Sequence, residues 1–248
     1  MSFKQAVSAG AIPEKLYGLA TDVLARLRGN PRIALPHYYD SHVHKGLIRV
    51  IDWYFPAVRG ERNPDGLAGE YLAVWDEIER GLPPCPQGFL HIDYHVENLM
   101  WLPDRDGLAR CGVLDFQGAM RGPLPYDLAN LLEDARQEIP GALRAAMIAR
   151  YCEGMSAEER EAFESWYRVL GTQFHCRVAG QFIRLALKDG KERYLQYLPL
   201  VTAYLREGLE HPVLQPLQRW FAGQGVGFEA APVIDAAALK LLVRDDAF

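Results

Sequence analysis

Cysteine is scarce in this 248-residue chain: Cys85, Cys111, Cys152 and Cys176 are scattered, with no C-x-x-C pair. That excludes a disulfide scaffold, a zinc knuckle and a thioredoxin-like motif, and it points to a reducing compartment, the cytoplasm. Long apolar runs are missing too. None approaches the roughly 18 residues of a membrane span, and Met1-Ser2-Phe3-Lys4 lacks the charged-then-apolar layout of a secretory leader. There is no basic run of five or more residues, and 27 Lys+Arg against 32 Asp+Glu give a net charge of −5. Nucleic acid is therefore excluded as a general partner, and a small anionic ligand needs a local cation or a metal. What remains, 49% hydrophobic and 24% charged residues, is the composition of an ordinary globular chain long enough to bury a core without staples.

Helical periodicity dominates the chain. Leu16, Leu19, Ala20, Val23, Leu24 and Leu27 recur at i, i+3, i+4, i+7 and i+8 behind Pro13, which predicts an amphipathic helix to Arg28, stopped by Gly29-Asn30-Pro31. Further helices are expected over Gly46 to Phe55 and from Leu67 to the Gly81-Leu82-Pro83-Pro84 breaker. The pattern then shortens. Gly88–His91, Leu99–Leu102 and Cys111–Leu114 read as strands, the last two a hairpin over Pro103-Asp104-Arg105-Asp106-Gly107. After Pro125 the helical period returns in Leu128–Ala135 and Leu143–Tyr151. Ser156-Ala157-Glu158-Glu159 forms a capping box before the helix carrying Phe163 and Leu170. Separate helices follow over Phe174–Leu187, over Tyr194–Glu207 with a kink at Pro199, and over Val213–Phe221. The fold class expected is α+β, mostly helical with a small β insert: one domain over 1–222, then a loosely attached tail, 223–248, partly disordered at its end.

The chemistry concentrates in His91-Ile92-Asp93-Tyr94-His95-Val96-Glu97-Asn98, with Val113-Leu114-Asp115-Phe116 downstream. An H-x-D-x-x-x-x-N segment followed by an aspartate after an apolar strand matches the phosphoryl-transfer template. One Asp accepts the substrate hydroxyl proton, while an Asn and a second Asp hold magnesium. Magnesium is a hard ion that takes oxygen ligands, which suits the carboxylate of Asp115 and the amide carbonyl of Asn98. Asp93 is then the candidate base, and His91 braces the loop backbone.

These segments, together with Gly122-Pro123-Leu124-Pro125-Tyr126-Asp127-Leu128, resemble the aminoglycoside phosphotransferase and choline kinase family. Within it they are most similar to bacterial kinases of cell-wall amino sugars that act on the anomeric hydroxyl of N-acetylmuramate or N-acetylglucosamine. The resemblance runs from about Leu16 to Phe221. It implies a protein-kinase-like C-terminal lobe, ATP and Mg2+ as cofactors, Asp93 as catalytic base, Asn98 and Asp115 as metal ligands and Asp127 as a brace of the catalytic loop. Two departures stand out. Many relatives carry Arg or Gly at the position of Ile92. They also carry a β-rich N-terminal lobe with a phosphate-covering loop and a lysine, whereas the residues before His91 read as helices, without G-x-G-x-x-G and with only Lys4, Lys15 and Lys45. The N-terminal β lobe is accordingly expected to be absent, and the activity of this polypeptide weak or absent.

Other readings compete with this one. Acidic residues around an acceptor cleft also suit a cationic aminoglycoside, and a sugar-binding pseudokinase module would keep the same fold without catalysis. Asp40, His42 and His44, or the alternation His91, Asp93, His95, Glu97, could be ligands of a metal-dependent hydrolase, since i, i+2 residues of a strand face one way. Acceptor candidates are His95, Asp52, Glu133 and Trp53, with Tyr54 and Trp75 as further aromatics able to stack on a sugar. No membrane partner is expected.

Overall fold

Apolar stretches alternating with helix breakers become, in the computed structural model, a mostly helical fold described for residues 1–28 and 34–243. In chain order its elements are α1 (Phe3–Ser8), α2 (Pro13–Leu27), α3 (His42–Lys45), α4 (Phe55–Arg59), α5 (Leu67–Arg80), β1 (Gln87–Leu90), β2 (Leu99–Trp101), β3 (Cys111–Val113) and β4 (Met120–Pro123). Then come α6 (Pro125–Leu132), α7 (Gly141–Tyr151), α8 (Ala157–Asp189), α9 (Leu198–Leu209), α10 (Gln215–Gly223) and α11 (Ala236–Leu242). The expected stop at Gly29-Asn30-Pro31 lies outside the described residues. Among those described, no helix is long and apolar enough to cross a membrane.

The chain divides into two compact units. The first joins Met1–Ser41 to Pro84–Tyr167; the second joins His42–Pro83 to the chain from Arg168. The two helices expected around Leu170 and Phe174 are one, the 33-residue α8, because a lone Gly171 weakens a helix without breaking it. Its capping box forms as expected: Ser156 N–H donates to Glu159 Oε2 at 2.8 Å and Glu159 N–H to Ser156 Oγ at 3.2 Å.

In the first unit, α2 packs through Leu16, Ala20 and Leu24 into a core with Leu128, Leu131, Leu132, Met147 and Phe163. The β part is two antiparallel ribbons: β2 with β3, as the hairpin predicts, and β1 with β4, which carries no hydrophobic alternation to betray it. Close backbone packing explains β4: a Cβ on Gly122, opposite Gly88, would sit 2.4 Å from Tyr38 Cβ.

In the second unit, the helix expected over Gly46–Phe55 changes pitch along its length, from a 3-10 turn at Gly46–Ile48 through a π-helical stretch at Val50–Tyr54 into α4. Arg49, at the change of pitch, presses its carbonyl against α8, where a Cβ on Gly180 would lie 1.9 Å from it. The segment after Gly223 is attached more firmly than its composition suggests. Val226, Phe228, Leu239 and Val243 are buried, Phe228 stacks on Tyr54 at 5.2 Å, and Asp235 caps α11.

Candidate active site

The loop that follows β1 is held from beneath by α6. Asp127, in the first turn of α6, is buried, and its two carboxylate oxygens accept from the backbone N–H groups of His91 (2.5 Å) and Ile92 (2.9 Å). Burial, with the charge of Asp93, pushes its carboxyl up to about 7 against those two donors, which favour the ionised form. One turn on, Asn130 Nδ2 donates to the Ile92 carbonyl at 2.6 Å. Ile92 itself is left-handed, with φ of 80°, a conformation that is strained for a β-branched residue. The imidazole of His91 is buried, and its Nε2 donates to the Leu114 carbonyl at 2.8 Å, tying the loop to the strand end that precedes Asp115.

The hairpin supplies the remaining geometry. Leu99 pairs with Val113, and Leu114 N–H donates to the Asn98 carbonyl at 2.9 Å, so Asn98 and Asp115 project from adjoining ends of β2 and β3. Asn98 Nδ2 donates to the Asp93 carbonyl at 3.1 Å. That bond closes the loop and commits the amide nitrogen of Asn98, whose oxygen is the acceptor end of the group. Asp115, left-handed at φ 63°, exposes its carboxylate and accepts from Gln117 Nε2. Asp93 is exposed, its carboxylate carried at the turn. Two exposed carboxylates and an amide oxygen are oxygen donors of the kind that fit a hard divalent cation and a hydroxyl-bearing acceptor.

The other expected residues fall elsewhere. His95 is buried rather than open to a substrate. Its Nδ1 accepts from Glu97 N–H at 3.3 Å, its Nε2 lies 3.4 Å from Asn98 Nδ2, and burial with nearby Arg136 lowers its pKa to about 4. Glu133 is buried, with Oε1 3.4 Å from Arg144 and accepting from Tyr167 Oη at 3.0 Å. Trp53, 1% exposed, belongs to the core of the second unit, which also contains Asp52. Among the described residues, no group of three or more His, Cys, Asp or Glu is placed to hold a metal. Two participants escape sequence reading. Asn130 sits three residues after Asp127, a spacing that puts both on one helix face, and Gln117 follows Asp115 by two.

A cavity of about 650 Å³ in the first unit is lined largely by apolar side chains, among them Val23, Leu35, Phe89 and Phe116. His91 and Val113 also line it, so it shares walls with the strand ends that carry Asp93 and Asp115.

The sequence pattern of the phosphotransferase enzyme family (APH) matches residues 4–164, a stretch that contains the whole of this loop and hairpin. The chain belongs to that phosphotransferase family. Its relatives include proteins named N-acetylmuramate/N-acetylglucosamine kinase. That of Caulobacter vibrioides is 33% identical over 228 residues, covering 88% of this chain and 63% of the relative; that of Neisseria meningitidis is 37% identical over 182 residues, covering 69% and 52%. The chain therefore spans between 52% and 63% of the length of those two relatives. Among solved structures, a choline/ethanolamine kinase family protein from Mesorhizobium loti superposes with a TM-score of 0.59 at 14% identity, over 89% of this chain and 68% of that one, so the kinase-like fold is shared.

Proposed function

We propose that this phosphotransferase moves the γ-phosphoryl group of ATP to a hydroxyl of a small amino sugar, N-acetylmuramate or N-acetylglucosamine. What supports the reading is that Asp93 and Asn98 share one loop, Asn98 Nδ2 donating to the Asp93 carbonyl, while Asn98 and Asp115 flank the paired ends of one hairpin. The sugar class is supported by the names of the relatives.

Asp93 accepts the proton of the attacking hydroxyl. Asp127 and Asn130 hold the backbone that presents it, and the bond from Asn98 Nδ2 to the Asp93 carbonyl sets the distance between base and amide. Asn98 Oδ1 and Asp115 would hold Mg2+, which when bound neutralises charge on the phosphate oxygens. Acting on free sugars, such an enzyme serves cell-wall recycling in the cytoplasm. Among the described residues no glycine-rich loop or strand-borne lysine covers the nucleotide phosphates. Positioning and charge neutralisation carry most of this reaction, so these 248 residues alone should transfer phosphate slowly and without saturating in Mg-ATP.

The test is a panel of N-acetylmuramate, N-acetylglucosamine and kanamycin incubated with Mg-ATP and read by product mass. Phosphate added to the two sugars alone, at a rate rising linearly with Mg-ATP, is the expected result. Phosphorylated kanamycin in place of sugar phosphate would move the chain to antibiotic modification, and no product from any acceptor would contradict the proposal.

A further inference from the structure

Asn130 is 4% exposed on the inner face of α6, and its amide reaches a backbone carbonyl of a different segment. The peptide group before the Cα of Ile92 donates its N–H to Asp127 Oδ1 at 2.9 Å; the peptide group after it offers its C=O to Asn130 Nδ2 at 2.6 Å. Two side chains one helical turn apart thus grip both peptides that flank a single residue, and together they fix its φ and ψ. The gripped residue is one that resists its conformation. A left-handed β-branched residue is strained, and such strain persists only where surrounding bonds over-determine it. Asp127 alone holds one of the two peptides. Without the Asn130 bond, the peptide between Ile92 and Asp93 is free to rotate toward negative φ, and the carboxylate of Asp93 turns with it.

We propose that Asn130 is a positioning residue: by gripping the Ile92 carbonyl it holds the strained Ile92 conformation and thereby aims Asp93 at the acceptor hydroxyl. This deepens the phosphotransferase reading and rests on it for the role of Asp93, while the grip itself is a property of the backbone that is measurable without any substrate.

The experiment compares the full chain with Asn130→Leu, which keeps the volume and removes the donor, and with Asn130→Asp, which keeps the shape and sets an acceptor against an acceptor. Met147→Ala, in α7, controls for general loss of stability through the shared core. Amide hydrogen exchange and Asp93-dependent phosphate transfer are measured on each protein at a temperature where all are folded. Loss of one buried bond of about 1 kcal/mol should speed exchange of the His91 and Ile92 amides by about fivefold in both Asn130 variants, with α2 and α7 unchanged. Transfer should fall about tenfold to a hundredfold, as expected for a misplaced reacting group. The Met147→Ala protein should show neither change. Exchange at His91 and Ile92 that stays at the parent rate in both variants, or that rises equally in Met147→Ala, would overturn the proposal. If exchange responds as expected while the parent transfers no phosphate, the grip on Ile92 is established and the phosphotransferase reading is what fails.

Discussion

At the scale of single residues, the loop is built from groups held in states they would not adopt alone. Asp127 is a carboxyl whose folded pKa, about 7, lies above its ordinary value of 3.8. Between those values the folded chain holds a proton that the unfolded chain has released. The stabilisation linked to this group is therefore complete below about pH 3.8 and is lost as pH rises through about 7. Denaturant unfolding across that range should show the excess stability of the parent over Asp127→Asn shrinking as pH rises; a difference that grows would contradict the shift. His95 runs the other way. Its pKa is lowered to about 4 by burial, so its contribution is present above about 6.5 and is lost as pH falls through 4, and His95→Gln should lose less stability than the parent over that acid interval. At Ile92 two effects oppose each other. Ile92→Gly relieves roughly 1–2 kcal/mol of left-handed strain, but stripping a buried Ile side chain costs about 2–5 kcal/mol. The cavity should win, and thermal unfolding should show a lower midpoint; a higher one would mean that the strain is larger than the burial.

At the scale of elements, the capping box and the tail make separate claims. Ser156→Ala removes the hydroxyl that receives Glu159 N–H at the start of α8, and should cost about 1 kcal/mol in denaturant unfolding, with Ser156→Asp nearly neutral. Ending the chain after Gly223 uncovers Tyr54 and Phe221, which Phe228 covers at ring distances of 5.2 and 5.1 Å. The shortened chain should melt at lower temperature; an unchanged midpoint would restore the expectation of a loosely attached tail. Which elements the sequence displays follows from what makes them. The helices α2, α5 and α7 and the β2–β3 hairpin bury one face, so their spacing alone reveals them. Strand β4 is set by a Gly122 backbone lying under Tyr38, and the pitch change at Arg49 by the close approach of Gly180; both are long-range contacts without local periodicity. The same distinction separates the site residues. Asp93, Asn98 and Asp115 stand in a spacing that their chemistry requires, whereas Asn130 acts through a hydrogen bond across 38 positions, and Glu133 and Trp53, which looked suited to a sugar, are buried.

At the scale of the whole molecule, the residues that would bind metal and accept a proton all lie in one of two compact units, on a loop fixed to α6 and a hairpin fixed to that loop. Each of these candidate side chains follows a backbone group already engaged in a hydrogen bond. The central claim is that this platform performs phosphoryl transfer with Asp93 as base. The most direct measurement mixes the chain, in excess, with γ-labelled Mg-ATP and N-acetylmuramate and follows label into the sugar, beside Asp93→Asn shown by circular dichroism to be folded. The account predicts slow transfer by the parent and about a 10²–10⁴-fold loss in the variant. Equal labelling by parent and variant, or none by either over prolonged incubation, would contradict it.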